Sequence, residues 1–459
     1  MKGKKAVNSV LIALIVSLMF TSLTAFLQQE AAAQESPQSH FRYDHIKWVK
    51  SGVNQATFDF DFAMRRSGCA SPGAFSPGDG LAQVGDICIE VTGGSSLDFG
   101  DASSTGTIWI RVAQIDVAND FIFGNVVDPS TCAADASPDG INSASCGNWV
   151  HQYGTAGPFT AQINTGNRQF TEINNANSNY IISTLVDFNS PPSNTGSPIS
   201  SLPAIVQCPL NAVCQYQVPG VDPDGDNLNY RLSTPAESGV NNQPGAGGLG
   251  GCSGGTLAIS NTGLVTWNTQ NCAAGLYSTS LRIEESNTGG PVHGWSMVDY
   301  LIQVTQVVQN PPIFDVPPMS PDNTVFNLNV GVPFNTPVRC SDVDALDVLT
   351  LGNLGLPGTA SVSAPIGTNP VSQTFSWTPG AGDVGPNLVT FTCQDNNGNN
   401  ANPHDYTFIV QLQPQTVGGE MIPLDMTMIL LAGTQMTASW MIPVVLSVVG
   451  IGLVFLRRK

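Results

Sequence analysis

Hydrophobic residues are concentrated at the two ends of the chain and alternate with polar residues between them. Three lysines within the first five residues precede an apolar run at residues 10–20, and the small residues 31–33 (AAA) follow it. This order is typical of an export signal, so the sequence predicts a signal peptide over residues 1–33. An uncleaved signal anchor is the alternative, because the apolar stretch continues patchily to Leu27.

A second apolar run, at residues 436–456, is followed by Arg457, Arg458 and Lys459. About 20 apolar residues suffice to cross a hydrocarbon core, and basic residues favour the cytoplasmic side. The sequence therefore predicts a single-pass anchor in the cell membrane, with a short basic cytoplasmic tail and the rest of the chain on the extracellular face. A buried core helix and a processed surface-sorting tail are the alternatives.

Between the two ends, short segments alternate strictly between apolar and polar residues. Residues 57–62 (TFDFDF), 107–112 (TIWIRV) and 228–232 (LNYRL) have the period of half-buried strands. Charged residues make up only 11% of the chain, whereas it contains 47 Gly and 32 Pro. This composition favours many short strands joined by turns, so we predict an all-β protein.

Two Pro-Pro segments divide this region into modules. Residues 189–198 and 309–313 combine Pro-Pro with small polar residues, a composition typical of stiff, extended linkers. The roughly 400 residues between the apolar ends are enough for two to four domains of ordinary size. The predicted divisions are an N-terminal module at 41–189, a second module at 190–308, a third at 309–414, and a linker at 415–435 that leads to the anchor.

The second and third modules contain similar strings in the same order. Residues 222–226 (DPDGD) after the first linker correspond to residues 342–344 (DVD) after the second, and Trp267 corresponds to Trp377 on a later alternating strand. We interpret this as a divergent tandem repeat of about 110 residues, the size of one β-sandwich domain. Both tryptophans are expected in the core, and a sugar-stacking platform is the alternative for them.

The third module also resembles a known family. Residues 375–385 (FSWTPGAGDVG), 389–395 (VTFTCQD) and 397–399 (NGN) resemble the end of an Ig-like, cadherin-like domain of bacterial and archaeal surface proteins. The resemblance covers about residues 190–414 and implies two consecutive Ig-like β-sandwiches. It says little about function, because this fold hosts many roles.

The N-terminal module resembles a different sandwich. Residues 97–101 (LDFGD) and 151–161 (HQYGTAGPFTA) resemble two elements of polycystic-kidney-disease-type (PKD-like) domains, although about 50 residues separate them here. Because the inserted residues include Cys132 and Cys146, we expect a disulfide-tied loop there. The predicted fold class is thus all-β, with three tandem Ig-like or PKD-like β-sandwich domains and a C-terminal transmembrane helix.

The ten cysteines are an even number in a chain predicted to be exported, so we expect disulfides. Each predicted module also contains an even number. Cys340 and Cys393 stand alone in the third module and are predicted to form a bridge. The pairing is left open for the other eight, Cys69, Cys88, Cys132, Cys146, Cys208, Cys214, Cys252 and Cys272.

Clusters of aspartate follow both linkers. A calcium ion takes six to eight oxygen ligands, and closely spaced Asp and Asn side chains can supply several of them. In the cadherin-like arrangement that the resemblance implies, such sites lie at domain junctions. Ordinary turns between strands are the alternative. The candidate calcium ligands are Asp222, Asp224, Asp226 and Asn227 in one cluster, and Asp342, Asp344 and Asp347 with Asp395 in the other.

Motifs that would indicate an enzyme occur only in an unsuitable context. Residues 251–255 match G-x-S-x-G and residues 245–250 match G-x-G-x-x-G, but both lie in one glycine-rich loop without the strand and helix that these motifs need. The five histidines have no metal-site spacing. We therefore predict that the protein is not an enzyme. For a surface hydrolase the only candidates are Asp59, Asp61, Asp98 and Asp101.

The net charge of −18 argues against nucleic acid as a partner. We predict a membrane-anchored structural or adhesion protein that contacts cells, an envelope layer or an extracellular polymer through a protein or glycan ligand. Residues 418–425 and 430–435 resemble anchors of archaeal surface proteins, which implies an envelope role. A carbohydrate-binding protein with exposed aromatics such as Trp109 is one alternative, and a surface hydrolase is the other.

Overall fold

A computed structural model describes residues 41–90, 96–117, 120–166, 168–189, 194–287, 290–306 and 310–412. The predicted signal peptide, the predicted linker to the anchor and the predicted transmembrane helix lie outside these residues. Within the described part of the chain, no helix is both long and apolar enough to cross a membrane.

The described residues form an all-β structure, which confirms the predicted class. Helical segments are short: one α-helical turn (α1, Pro235–Ser238) and 3₁₀ turns at Arg66–Gly68, Pro129–Thr131, Ser143–Ser145, Ala246–Gly251 and Ala381–Asp383. The strands of the predicted N-terminal module are β1 (Phe41–Gly52), β2 (Gln55–Arg65), β3 (Cys69–Ala70), β4 (Ile87–Glu90), β5 (Trp109–Asp116), β6 (Phe121–Val127), β7 (Ala133–Ala134), β8 (Ile141–Asn142), β9 (Trp149–Gln152), β10 (Phe159–Gly166) and β11 (Asn179–Val186).

The alternating segment at residues 57–62 lies in β2, as its period predicts. Phe58, Phe60 and Phe62 are all buried, and β2 pairs antiparallel with β1 and β6. The strands of the predicted second module are β12 (Ile205–Pro209), β13 (Val213–Gln217), β14 (Asn227–Leu232), β15 (Ala258–Ile259), β16 (Leu264–Asn268), β17 (Gly275–Ser286) and β18 (Val292–Thr305).

One sheet of thirteen strands extends across the predicted boundary at residue 190. Its path runs β10-β11-β18-β1-β2-β6-β5-β4-β3, and β9, β12, β14 and β17 pair at its sides. The strand β18 therefore pairs with strands from both predicted modules. The predicted sandwiches at 41–189 and 190–308 therefore share one sheet. The number of domains stays a prediction. A smaller sheet, β13-β16-β15, carries Trp267, which is buried as predicted.

The third module forms two four-stranded sheets that pack face to face. The strands are β19 (Ile313–Phe314), β20 (Thr324–Asn329), β21 (Phe334–Ser341), β22 (Thr350–Leu354), β23 (Ser361–Val362), β24 (Val371–Trp377), β25 (Gly385–Gln394) and β26 (His404–Gln411). The sheet orders are β19-β21-β24-β23 and β20-β26-β25-β22. Phe375 and Trp377 from one sheet pack with Phe391 and Phe408 from the other. This is the two-layer arrangement expected of a β-sandwich, and the predicted core position of Trp377 is confirmed.

All ten cysteines form disulfides. The predicted bridge between Cys340 and Cys393 is confirmed, and it joins β21 to β25, one strand from each sheet of the third module. The four bridges that the sequence left open are Cys69–Cys88, Cys132–Cys146, Cys208–Cys214 and Cys252–Cys272.

The two PKD-like elements of the N-terminal module lie side by side despite their separation in sequence. The backbone of Asp98 exchanges hydrogen bonds with that of Gln162, at 2.8 and 2.9 Å. The ring of Phe99 stacks on that of His151, with 4.0 Å between the ring centroids. The inserted residues include the loop closed by Cys132–Cys146, as expected.

Candidate metal centre

The loop between β21 and β22 brings three carboxylates together. Asp342 Oδ1 accepts a hydrogen bond from the backbone N–H of Asp344 at 2.8 Å, which closes a tight turn. The Asn369 side chain accepts from the N–H of Asp342 and donates to the carbonyls of Asp342 and Asp344. Carboxylate oxygens of Asp342, Asp344 and Asp347, here called the Asp342 cluster, consequently lie within 4.8 Å of one another.

The carboxylates of the Asp342 cluster repel one another, and one of the three is buried whereas the other two are half-buried. Asp347 is 5% exposed. Its Oδ2, like that of Asp342, has no hydrogen-bond partner among the described residues. Burial, followed by the charges of Asp395, Asp342 and Asp344, raises the pKa of Asp347. A divalent cation would relieve this repulsion, and carboxylate oxygens are ligands that Ca²⁺ prefers.

The fourth residue predicted for this cluster, Asp395, lies beside it and closes its own turn. Asp395 Oδ1 accepts from the backbone N–H groups of Asn397 and Asn399, both at 2.8 Å. Its Oδ2 accepts from the Asn399 side chain at 2.7 Å. The Asn397 side chain then donates to Asp347 Oδ1 at 3.0 Å. Asp395 therefore acts on the cluster through its charge and through Asn397.

The Asp342 cluster lies where the third module begins. The backbone N–H of Asn310, the first described residue of the second linker, donates to Asp344 Oδ2 at 2.8 Å. The turn after β25 also contacts β12: the Gln207 side chain donates to the carbonyl of Gly398 at 2.5 Å and accepts from the N–H of Asn400 at 2.8 Å. The cluster is thus connected to the linker and, through this turn, to the preceding strands.

The loop at residues 222–227, here called the Asp222 loop, repeats the first steps of this pattern. Asp222 Oδ1 accepts from the N–H groups of Asp224 at 2.8 Å and Asp226 at 3.0 Å. The carboxylate of Asp224 accepts from the backbone N–H and the hydroxyl of Thr195, both at 2.6 Å. Asn227, the fourth predicted ligand, is the first residue of β14.

The Asp222 loop is closed by two residues that sequence reasoning missed. His293 Nε2 lies 3.2 Å from Asp226 Oδ2, and its Nδ1 lies 3.5 Å from Glu285 Oε1. Glu285 also accepts from the Asn194 side chain at 2.7 Å. Burial, and then the neighbouring Asp222, raises the pKa of Glu285 to about 10.

The repeat itself contains a signal for one of these two residues. Glu285 is the penultimate residue of β17, and Asp395 directly follows β25, so both acids stand near the end of an equivalent strand. Continuing the comparison of the two repeats into these strands would have found Glu285. His293 is the second residue of β18, and the equivalent strand β26 begins with His404, which contacts the carbonyl of Ser320 and no aspartate loop, so this position gives no signal for the role of His293.

Two of the four acids considered for a hydrolase face a cavity of about 480 Å³. Asp59 and Asp61 lie on the same face of β2, and Lys47 Nζ is 3.0 Å from the first and 2.7 Å from the second. Asn125 donates to Asp61 at 2.8 Å. Burial lowers the pKa of Lys47, but the charges of both carboxylates outweigh this effect and raise the pKa above the ordinary value. The acids are therefore paired with a cation.

The other two acids belong to the PKD-like elements. Asp98 Oδ1 accepts from the N–H of Gly100 at 2.8 Å. Asp101 interacts with His151 Nε2 at 2.8 Å and also accepts from the Ser103 hydroxyl. In a catalytic triad the serine would donate to the imidazole. Here Asp101 and Ser103 approach the same ring nitrogen, since Ser103 Oγ also lies 3.4 Å from His151 Nε2, whereas in a triad the acid and the serine bind different nitrogens.

The N-terminal part of the chain is similar to a known family. Residues 42–189 match the family model described as integrin beta-like protein A-E, N-terminal. Integrin beta-like protein E of Dictyostelium discoideum is 24% identical over 366 residues, which cover 72% of this chain and 17% of that protein. Integrin beta-like protein A of the same organism is 22% identical over 430 residues, covering 84% and 19%. The chain thus spans less than a fifth of each of these relatives.

Solved structures that resemble the chain do so only distantly. A mutant SrpA adhesin from Streptococcus sanguinis has a TM-score of 0.18 and 16% identity, covering 23% of this chain and 58% of that one. The titin domains z1z2 in complex with telethonin have a TM-score of 0.17 and 11% identity, covering 48% and 98%. Scores this low support no argument about fold or function. The resemblance to bacterial and archaeal surface domains stays a prediction.

Proposed function

We propose that this chain is an adhesion-type cell-surface protein that displays β-sandwich modules for contact with cells, an envelope layer or an extracellular polymer. The observation that carries the proposal is the match of residues 42–189 to the integrin beta-like family. The five disulfides support it, because such bonds persist in oxidising compartments such as the cell surface. The export signal and the membrane anchor remain part of the proposal.

The adhesion role is tested with the full-length chain on the surface of expressing cells. We expect these cells to adhere to other cells or to polysaccharide-coated plates more strongly than cells that express the chain without residues 41–306, which contain the whole thirteen-stranded sheet. Equal adhesion at equal surface amounts would contradict the proposal. Surface amounts are measured with an antibody against an epitope tag in unfixed cells, which also tests the predicted extracellular orientation.

We further propose that the Asp342 cluster binds calcium. Three converging carboxylates and the unpartnered oxygen of the buried Asp347 support this assignment. The ion would bind the carboxylates of Asp342, Asp344 and Asp347, and water or backbone oxygens would complete its shell. Because Asp344 also holds the N–H of Asn310, a bound ion would fix the start of the third module relative to its own loop.

Thermal unfolding of the full-length chain tests the calcium site. Binding to the folded state alone stabilises it by about 2.7 kcal/mol when calcium is at 100 times its Kd. We expect calcium to raise the Tm of the wild type and to have little effect on Asp347→Asn, which keeps the size of the side chain. The matched control is Asp98→Asn, which is not in the cluster and should retain the full response. An unchanged wild-type Tm would refute the site.

We propose a non-catalytic role for the acids of the N-terminal module. The pairing of Asp59 and Asp61 with Lys47 supports this, since a nucleophile or general base held in an ion pair is less available for reaction. The geometry at His151 also supports it, because Asp101 and Ser103 approach the same ring nitrogen and so do not form the arrangement of a triad. Incubation with chromogenic glycosides and esters tests the proposal, and turnover that Asp61→Asn abolishes would overturn it.

Carbohydrate binding is a second candidate, favoured by the cavity rather than by exposed aromatics. Phe58 and Phe60 are buried and Trp109 is half-buried, so these rings offer no open platform. The 480 Å³ cavity has polar residues such as Asp59 on one side and apolar residues such as Leu354 on another, a lining that suits a ligand with polar edges and apolar faces. Saturation-transfer NMR with simple methyl glycosides should detect contact that Asp59→Asn reduces. No transfer for any glycoside would remove this candidate.

A further inference from the structure

The two aspartate loops are built alike as far as their second acid. In each, the first aspartate accepts from the N–H of the second at 2.8 Å, Asp222 from Asp224 and Asp342 from Asp344. In each, the second aspartate accepts from a backbone N–H of the preceding linker, that of Thr195 or that of Asn310. Each loop therefore binds a backbone N–H of the linker that precedes it.

The loops differ in what lies among their remaining carboxylates. In the Asp342 cluster three carboxylates come within 4.8 Å of one another. Each loop contains a buried carboxylate oxygen without a hydrogen-bond partner, Oδ2 of Asp347 in this cluster and Oδ2 of Asp222 in the other loop. The carboxylates of Asp222, Asp224 and Asp226 do not form such a group among the described residues. In the Asp222 loop, unlike in the Asp342 cluster, the imidazole ring of His293 lies between an aspartate of the loop and the end of β17.

His293 is a buried residue that bridges two acids. Its side chain is 6% exposed, and its two ring nitrogens approach Asp226 Oδ2 at 3.2 Å and Glu285 Oε1 at 3.5 Å. Asp226 stands at the third acidic position of its loop, as Asp347 does in the Asp342 cluster. Glu285 stands near the end of β17, where Asp395 stands after β25. The ring thus lies between Asp226 of the loop and Glu285 of the strand.

We propose that His293 takes the place of the metal ion in the Asp222 loop, so that the chain binds one calcium ion per molecule, at the Asp342 cluster. This inference rests on the calcium site proposed above. Both oxygens of Asp224 are already used by Thr195, and Asp222 Oδ1 by two backbone N–H groups, which leaves Asp222 Oδ2 without a hydrogen-bond partner. An ion bound between Asp222 Oδ2 and Asp226 would have to displace the buried side chain of His293 from Asp226.

The consequence is that the two linkers are held differently. The first linker is hydrogen-bonded through Thr195 to Asp224 whether or not calcium is present. The second linker is held through Asn310 by a loop whose carboxylates repel one another until a cation binds. Calcium removal should therefore loosen the start of the third module and leave the first linker in place.

Calcium titration of the full-length chain by isothermal calorimetry, after removal of metal, tests the inference through stoichiometry. We expect one ion per chain, an at least tenfold loss of affinity in Asp347→Asn, and no change in Asp222→Asn. A wild-type stoichiometry of two, or one ion lost in Asp222→Asn but not in Asp347→Asn, would overturn the inference and leave calcium binding intact. No binding at all would refute the proposed calcium site itself, and the inference with it.

A second variant tests the role of the imidazole directly. His293→Ala opens the space between Asp226 and Glu285, so we expect it to lower the Tm in chelator and to gain a second, weaker calcium site. The matched control is His404→Ala, which removes a buried imidazole from the third module and should gain no site. If His293→Ala is folded and still binds one ion with unchanged stability in chelator, the imidazole does not replace the ion. If it does not fold, His293→Asn provides a smaller change with the same expected direction.

Discussion

The pKa of a buried carboxylate in this protein depends on the few polar groups that surround it. Asp405 in β26 is 1% exposed, and its Oδ1 accepts a hydrogen bond from the Thr390 hydroxyl. Burial raises its pKa to about 8; the Thr390 hydrogen bond opposes this shift and the charge of Asp322 adds to it. Thr390 also contacts the hydroxyl of Ser201, outside the third module. Thr390 therefore links this carboxyl to a contact between the third module and the preceding residues.

Asp405→Asn should reduce the loss of stability as the pH rises from about 4 to 8. An unfolded aspartate has a pKa near 3.9, and in the folded state the value is about 8. The folded state therefore binds the proton more tightly. The stabilisation it provides is complete below about pH 4 and is lost as the pH rises to 8, with a slope of up to about 1.4 kcal/mol per pH unit.

We expect the wild-type Tm, measured in chelator, to fall between pH 4.5 and 8, and that of Asp405→Asn to fall less. Asn is the suitable replacement because it has the same shape and cannot ionise. Asp98→Asn, far from this contact in the N-terminal module, serves as the control and should keep the wild-type slope. Parallel profiles for the wild type and Asp405→Asn would show that Asp405 titrates normally.

At the scale of strands, alternation was a reliable guide only where polar residues face water. The strand β2 and the strand carrying Trp377 were predicted correctly, because their apolar residues point to one face. The strand β17 contains Ser278, Thr279 and Ser280, all fully buried, and alternation cannot identify such a strand as central.

Buried polar residues in β17 are satisfied by partners that sequence patterns do not reveal. The backbone and hydroxyl of Ser278 bond to Asn174 and Asn175, and Thr279 donates to Gln243 at 2.7 Å.

The candidate site could likewise be predicted only in part from local sequence patterns. The aspartates near each linker were predictable from local spacing, whereas Glu285 and His293 reach the Asp222 loop from later strands of the fold.

The disulfide between β21 and β25 should be the main covalent support of the third module. It joins the two sheets and closes a sequence separation of 53 residues, whereas Cys132–Cys146 spans 14 residues in the inserted loop. Because longer loops lose more entropy when closed, we expect the double replacement Cys340→Ser/Cys393→Ser to cost about 3–4 kcal/mol. The Cys132→Ser/Cys146→Ser control should cost less. Urea unfolding measures both, and equal losses would contradict the prediction.

At the scale of the whole molecule, the continuous sheet links the two modules that the sequence separates at residue 190. The pair Arg168–Asp299 joins them through two hydrogen bonds, at 2.5 and 2.7 Å, with both side chains 2% exposed. His45 Nδ1 also lies 2.8 Å from the carbonyl of Met297 in β18. By contrast, both sheets of the third module contain only strands from β19 to β26. Linker composition therefore indicates where the chain is extended, but not which strands share a sheet.

Fragments of the chain should reflect this connectivity. Residues 41–189 alone lack β18, so Arg168 would keep a buried charge without Asp299, a loss that typically costs about 3–5 kcal/mol. The edges of β1 and β11 that pair with β18 would also be left open. We expect this fragment to unfold without cooperativity, and residues 41–306 and 310–412 each to unfold cooperatively in circular dichroism. Dispersed amide signals from residues 41–189 alone, together with a Tm equal to that of residues 41–306, would instead establish the separate N-terminal domain that the sequence predicts.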